Sequence, residues 1–172
     1  MRNRSLIFVS ILFLVLLVGC ENVDKSESRE VSPTFSLLDA SGDRLYGQFL
    51  LIGKKDKVGF IVGSVQDGKA VEQPIIANKV NKYMWHFWGK EEAISGDFKV
   101  VGIDEKGKVH PVLVAGDDQV WEYSNTVISP LNGADSHTPS NMMFPTSGLW
   151  TLKVYFNEKL FDEIVINVED GV

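Results

Sequence analysis

The chain has 172 residues, 44% of them apolar and 23% charged, with a formal net charge of −6, four tryptophans and one cysteine. That length is ample for one domain with a sizeable core, and one cysteine excludes an internal disulfide framework. The acidic balance, with no basic stripe, speaks against nucleic-acid binding and against adsorption to an anionic membrane surface.

Two arginines, Arg2 and Arg4, precede a largely apolar run from Leu6 to Leu17. At about 12 residues the run is well short of the roughly 20 that span a bilayer as a helix, so residues 1–19 read as an export signal. Its removal would strip two basic residues and no acidic one, leaving the mature chain more acidic still. The ending Leu17-Val18-Gly19-Cys20 resembles the lipobox of bacterial lipoproteins. That resemblance implies a diacylglyceryl group on the Cys20 sulfur, of the palmitate type, and a protein held on the extracytoplasmic face of the cell membrane. Two acyl chains anchor stably where one is marginal, because each buried methylene contributes about 0.8 kcal/mol.

Residues 20–33 then form the lipidated cysteine and a tether. ENVDKSESREVSP carries no aromatic residue, and such a composition buries too little surface to order itself. Fully extended, it would reach about 45 Å from the anchor.

From residue 34 to 172 the apolar runs are short and rich in Val, Ile, Phe, Tyr and Trp. Turn pairs at Ser41-Gly42, Asp67-Gly68, Lys106-Gly107, Asn132-Gly133 and Ser147-Gly148 separate them. The spacing predicts an all-β domain, an immunoglobulin-like antiparallel β-sandwich. The expected strands are Phe35–Leu38, Leu45–Ile52, Val58–Val62, Pro74–Ala77, Tyr83–Trp88, Phe98–Ile103 and Val109–Val114. Leu149–Val168 follows as a closing hairpin that turns near Asn157–Lys159.

KYMWHFWG, Lys82 to Gly89, is apolar or aromatic on both alternating faces: Tyr83, Trp85 and Phe87 on one, Met84, His86 and Trp88 on the other. A sandwich strand needs only one buried face. The second is expected to lie under the segment from Ser124 to Ser147, a long loop shaped by Pro139 and Pro145 that brings His137 or a methionine near His86.

YMWHFWG, NGADSHTPSNMMFPTSGLW and YFNEKLFDEIVINV together resemble an uncharacterised domain family of Gram-positive bacterial lipoproteins, a domain of unknown function. A Met-Trp motif, a His-x-Pro-Ser-x-Met loop and a Gly-Leu-Trp strand recur in it. The resemblance implies a short immunoglobulin-like sandwich and an exported location, with no activity to carry over. The chain departs from the pattern at Phe161-Asp162-Glu163, where a small residue is expected.

Three chemistries compete. Met84, His86, His137 and Met142 are thioether and imidazole ligands that suit copper in a site without thiolate; methionines beside aromatic residues also serve as pliable core filling. The tryptophans Trp85, Trp88, Trp121 and Trp150 offer a glycan or small-ligand platform, with Trp85 and Trp150 better placed to fill a core. Catalysis finds little support: no Gly-x-Ser-x-Gly elbow, reactive cysteine or His-Glu-x-x-His pattern occurs, and GKKDKVG, Gly53 to Gly59, reads as a hairpin turn. Asp39, Asp43, Asp104, Asp117 and Asp118 sit near turns, where aspartate caps backbone groups. The expectation is therefore a non-catalytic binding or interaction module of the cell envelope, without a cofactor, meeting a protein or cell-wall partner through Trp88, Trp121 and His137. The alternative is a copper, small-ligand or glycan carrier.

Overall fold

The computed structural model describes residues 29–37, 48–126 and 129–171. The expected signal segment, Cys20, most of the tether, the Ser41-Gly42 turn, Leu38 and the start of the second expected strand lie outside them. The described chain is all-β: β1 (Thr34–Leu37), β2 (Gln48–Lys54), β3 (Val58–Gln66), β4 (Lys69–Glu72), β5 (Asn81–Phe87), β6 (Gly96–Ile103), β7 (Val109–Pro111), β8 (Leu113–Ala115), β9 (Asp118–Val120), β10 (Glu122–Thr126), β11 (Ser136–Met142), β12 (Gly148–Phe156) and β13 (Lys159–Val168). One 3₁₀ turn at Glu91–Ala93 interrupts them.

Two antiparallel sheets pack face to face. The larger runs β1-β2-β3-β5-β11-β8-β9, with β4 folded back on β3; the smaller runs β10-β6-β12-β13, with β7 beside β6. Alternation decides which side chains meet between them. From the larger sheet come Leu50, Ile52, Val58, Phe60, Tyr83, Trp85 and Phe87; Phe98, Val100, Trp150, Leu152, Val154, Phe156, Ile164 and Ile166 face them from the smaller. Trp85 touches Phe60, Phe87 and Phe98 at centroid separations of 4.7, 6.1 and 5.5 Å, and such pairs add about 0.5–1.5 kcal/mol each beyond the area they bury.

The closing hairpin forms as expected, with Asn157 and Glu158 at φ 47° and 63°, as a two-residue primed turn requires. Phe161 sits where the β12–β13 register slips and packs edge-on against Phe87 and Phe156 under the Lys57 ammonium. The bulky residue at this departure from the family pattern thus covers one end of the core. Opposite the turn, Gly96 (φ 96°) lies against the Asn157 amide, which accepts from Asp97 N and donates to the Ser95 carbonyl.

Three expectations need correction. Pro74–Ala77 is no strand: proline has no N–H to give a ladder, and the segment instead clips the end of β13 through Glu169 N to the Ile75 carbonyl and Ala77 N to the Glu169 carbonyl. Val109–Val114 divides between the sheets, β7 beside β6 and β8 beside β11, with buried Val112 at the crossing. The third concerns the segment from Ser124 to Ser147. Its middle is not a loop over β5 but β11, paired with β5 through all seven residues.

β11 escapes a hydrophobic pattern search because its inward side chains are mostly hydroxyls. Ser136, Thr138 and Ser140 are buried with Met142, while Pro139 and Asn141 are exposed. These small residues leave room for Trp85, whose Nε1–H donates to Ser140 Oγ at 2.9 Å. Pro139 is tolerated because the side of β11 away from β5 meets β8 only at Met142.

The first described residues are also fastened down. Ser32 N donates to the Val165 carbonyl, Val165 N donates to Ser32 Oγ, and Arg29 donates to the Asp104 carbonyl. Ser32 is therefore held on the free edge of β13 and Arg29 on Asp104, while Arg29, Glu30, Val31 and Pro33 remain exposed.

Candidate functional site

The outward face of the larger sheet is unusually apolar. On it Phe35 of β1 pairs with Leu51 of β2, and two residues along the sheet Gly59 of β3 pairs with His86 of β5, which pairs in turn with His137 of β11. Leu51 and His86 are fully buried there. Gly59 makes this possible: the Phe35 ring lies over it, and a Cβ at that position would stand 2.9 Å from the ring and 2.9 Å from the Ile52 carbonyl. Phe35 then reaches Trp88 edge-on at 6.1 Å, and Trp88 stacks on His86 at 6.3 Å.

Among the described residues neither ring nitrogen of His86 has a hydrogen-bond partner. Burial pushes its pKa down to about 4; the Met84 backbone, outside hydrogen-bonding geometry, pulls the other way, and nearby His137 adds a smaller downward push. The ring is neutral at physiological pH. His137 is its direct cross-strand partner and is half-buried. Its Nδ1 meets the Ser129 carbonyl, so that nitrogen carries a proton and, in the neutral tautomer, Nε2 is the nitrogen with the lone pair.

Met84 shares this face with the two histidines, two residues along the strand from His86. Met142 does not. It is fully buried in the core on the opposite side of the sheet, so the four expected metal ligands do not converge. Among the described residues no three His, Cys, Asp or Glu side chains cluster as a metal site.

The expected binding surface divides as well. Trp88 is half-buried, its Nε1–H donating to the Gly133 carbonyl, and the adjacent Gly89 N donates to Asp135. Trp88 and His137 thus stand on either side of one loop. Trp121 is 42% exposed, but Val120 before it registers through Leu113 and Met142 with Asn81. That is the far end of β5 from Trp88, seven residue steps or about 23 Å away. With Trp85 and Trp150 fully buried, the tryptophans offer no continuous stacking platform.

One arrangement went unnoticed in the sequence. His110 Nε2 donates to Asp104 Oδ2 at 2.9 Å, its ring lying 5.0 Å from Trp150, while Asp104 Oδ1 accepts from Lys106 N and Lys108 N. The His110 bond holds the carboxyl below the usual carboxylate range, helped by the two amides and opposed by desolvation. The turn-capping role expected of Asp104 is visible here; the histidine six residues on gave no sequence signal of its own. The GKKDKVG stretch is a hairpin turn joining β2 to β3, with Lys54 paired to Asp162.

Residues 30–166 match the domain family described as a domain of unknown function, DUF4871. The chain belongs to this family. The DUF4871 chain is also similar to a crystal structure of a Bacillus anthracis protein named, provisionally, as a lipoprotein: identity is 28%, TM-score 0.60, with 81% of this chain and 86% of that one covered. No curated protein matches the DUF4871 chain.

Proposed function

We propose that this protein is an exported lipoprotein of a Gram-positive cell envelope, anchored through Cys20, whose immunoglobulin-like sandwich is a non-catalytic binding or interaction module. The observation that carries the reading is the N-terminal sequence, two arginines, a short apolar run and Leu17-Val18-Gly19-Cys20, together with the lipoprotein name given to the Bacillus anthracis neighbour. The placement of Arg29 supports it. Asp104, which Arg29 holds, follows the end of β6, whereas Trp88 lies just before the start of β6, about 26 Å away along an eight-residue strand. Because the chain enters the domain at Arg29, the Trp88 and Ser129–Asp135 end is the one farther from the point of attachment, accessible to a protein or cell-wall partner.

What supports a non-catalytic reading is the use made of the polar side chains among the described residues. The most structured polar groups, Asp104, Asp97, Asp135 and Asn157, hold backbone amides.

The test is fractionation of cells expressing the wild type or Cys20→Ala. The wild type is expected in the membrane fraction with an acyl-modified N-terminal cysteine by mass spectrometry, and Cys20→Ala in the medium or still carrying its signal. An unmodified Cys20 in a soluble wild-type chain would refute the anchoring.

A further inference from the structure

The geometry points to a binding site for a soft monovalent cation, Cu(I), on the outward face of the larger sheet, formed by the imidazoles of His86 and His137 and the thioether of Met84. It does not depend on membrane anchoring.

The first observation is His86 itself. It is fully buried and lacks a hydrogen-bond partner for either nitrogen among the described residues. An unsatisfied buried polar group ordinarily costs about 1–3 kcal/mol, and a phenyl ring would fill the same space beside Trp88 without that cost. The packing therefore leaves an imidazole lone pair where shape alone calls for an apolar ring.

The second is His137, directly opposite. Cross-strand partners on one face have Cβ atoms about 4.5–5.5 Å apart, and two imidazole nitrogens at about 2.0–2.1 Å from a shared metal fit that spacing after side-chain rotation. The Ser129 carbonyl fixes the His137 proton on Nδ1, which directs Nε2 as the free ligand, and such an outer hydrogen bond is the usual companion of a metal-binding histidine.

Met84 supplies the third donor. It is half-buried and walls a shallow groove of about 390 Å³ with Phe49, Ile61, Gly63 and Lys82, so part of its side chain is reachable from solvent.

Charge selects the metal. The nearest carboxylate along β11 is Asp135, turned onto the Gly89 amide, and Lys82 shares the groove with Met84. Two neutral imidazoles and a thioether cannot compensate a dication in a desolvated site, whereas they match the softness and single charge of Cu(I).

The experiment uses the full chain in detergent, titrated anaerobically with Cu(I) against a chromogenic Cu(I) chelator, beside His86→Phe, His137→Gln and Met84→Leu. Circular dichroism checks that each variant is folded, and His86→Phe is expected to fold at least as well as the wild type. The wild type should take one Cu(I) from the chelator, and each variant, which removes a direct ligand, should lose at least the roughly 10- to 100-fold that loss of an outer hydrogen-bond partner costs. Failure of the wild type to compete would overturn the site. So would Cu(I) affinity unchanged in His86→Phe and His137→Gln, or tighter binding of Zn(II) than of Cu(I).

Discussion

Replacing His86 by phenylalanine should separate the stability of this domain from pH in a calculable way. In the folded chain burial holds the imidazole pKa at about 4, against 6.5 for the exposed group. A depressed histidine pKa means that the unfolded chain binds the proton first, so stability is lost as pH falls from 6.5 towards 4. At about 1.4 kcal/mol per pH unit, the loss is about 1 kcal/mol by pH 5.5, between about 2 and 3 by pH 4.5, and about 3 kcal/mol once both forms are protonated. His86→Phe lacks this proton and keeps a ring against Trp88. Urea unfolding of both proteins with chelator present, at pH 7.5, 6.5, 5.5 and 4.5, should give a gap that widens in favour of the variant by those amounts; carboxylate titration is common to both and drops out. At pH 7.5 the variant should already gain about 1 kcal/mol, from removal of the unpaired nitrogens. A gap that stays constant with pH would refute the argument, because it would mean that His86 is solvated or hydrogen-bonded in solution.

Ser140→Ala removes the acceptor of the Trp85 indole N–H and should lower stability by about 1–3 kcal/mol in urea unfolding; a loss below a few tenths would mean that the indole finds another acceptor. Gly59→Ala drives a methyl group against the Phe35 ring and the Ile52 carbonyl, and should destabilise by about 1–3 kcal/mol with a shift in Trp88 emission. A neutral result there would show that Phe35 does not lie over β3. Asp104→Asn should lower the melting temperature at pH 7, and the difference should shrink as pH falls, because a depressed carboxylate pKa contributes stability only above the pH at which the group protonates. A difference that grows on acidification would contradict the His110–Asp104 pairing.

Much of the fold is legible from alternation alone. Trp150, Leu152, Val154 and Phe156 repeat at the strand period and all are buried, because β12 has a single face turned inward and hydrophobic burial sorts the residues. The same logic placed Tyr83, Trp85 and Phe87 in the core. It failed on β11, whose inward positions are Ser136, Thr138 and Ser140. Room for the aromatic residues of β5, and an acceptor for Trp85, decided their identity there. A proline in mid-strand then completed the disguise.

By itself the sequence determined the all-β class, the strand-rich order of the second half and the Asn157 turn, since periodicity and turn chemistry are local properties. It also marked His86 and His137 as worth comparing. Only the tertiary structure decided that they are cross-strand partners and that Met142 belongs to the other side of the sheet. The structure likewise parted Trp121 from Trp88 by the length of a strand and joined Asp104 to His110. Those outcomes depend on which strands pair and in what register, and a shift of one residue would exchange the two faces throughout.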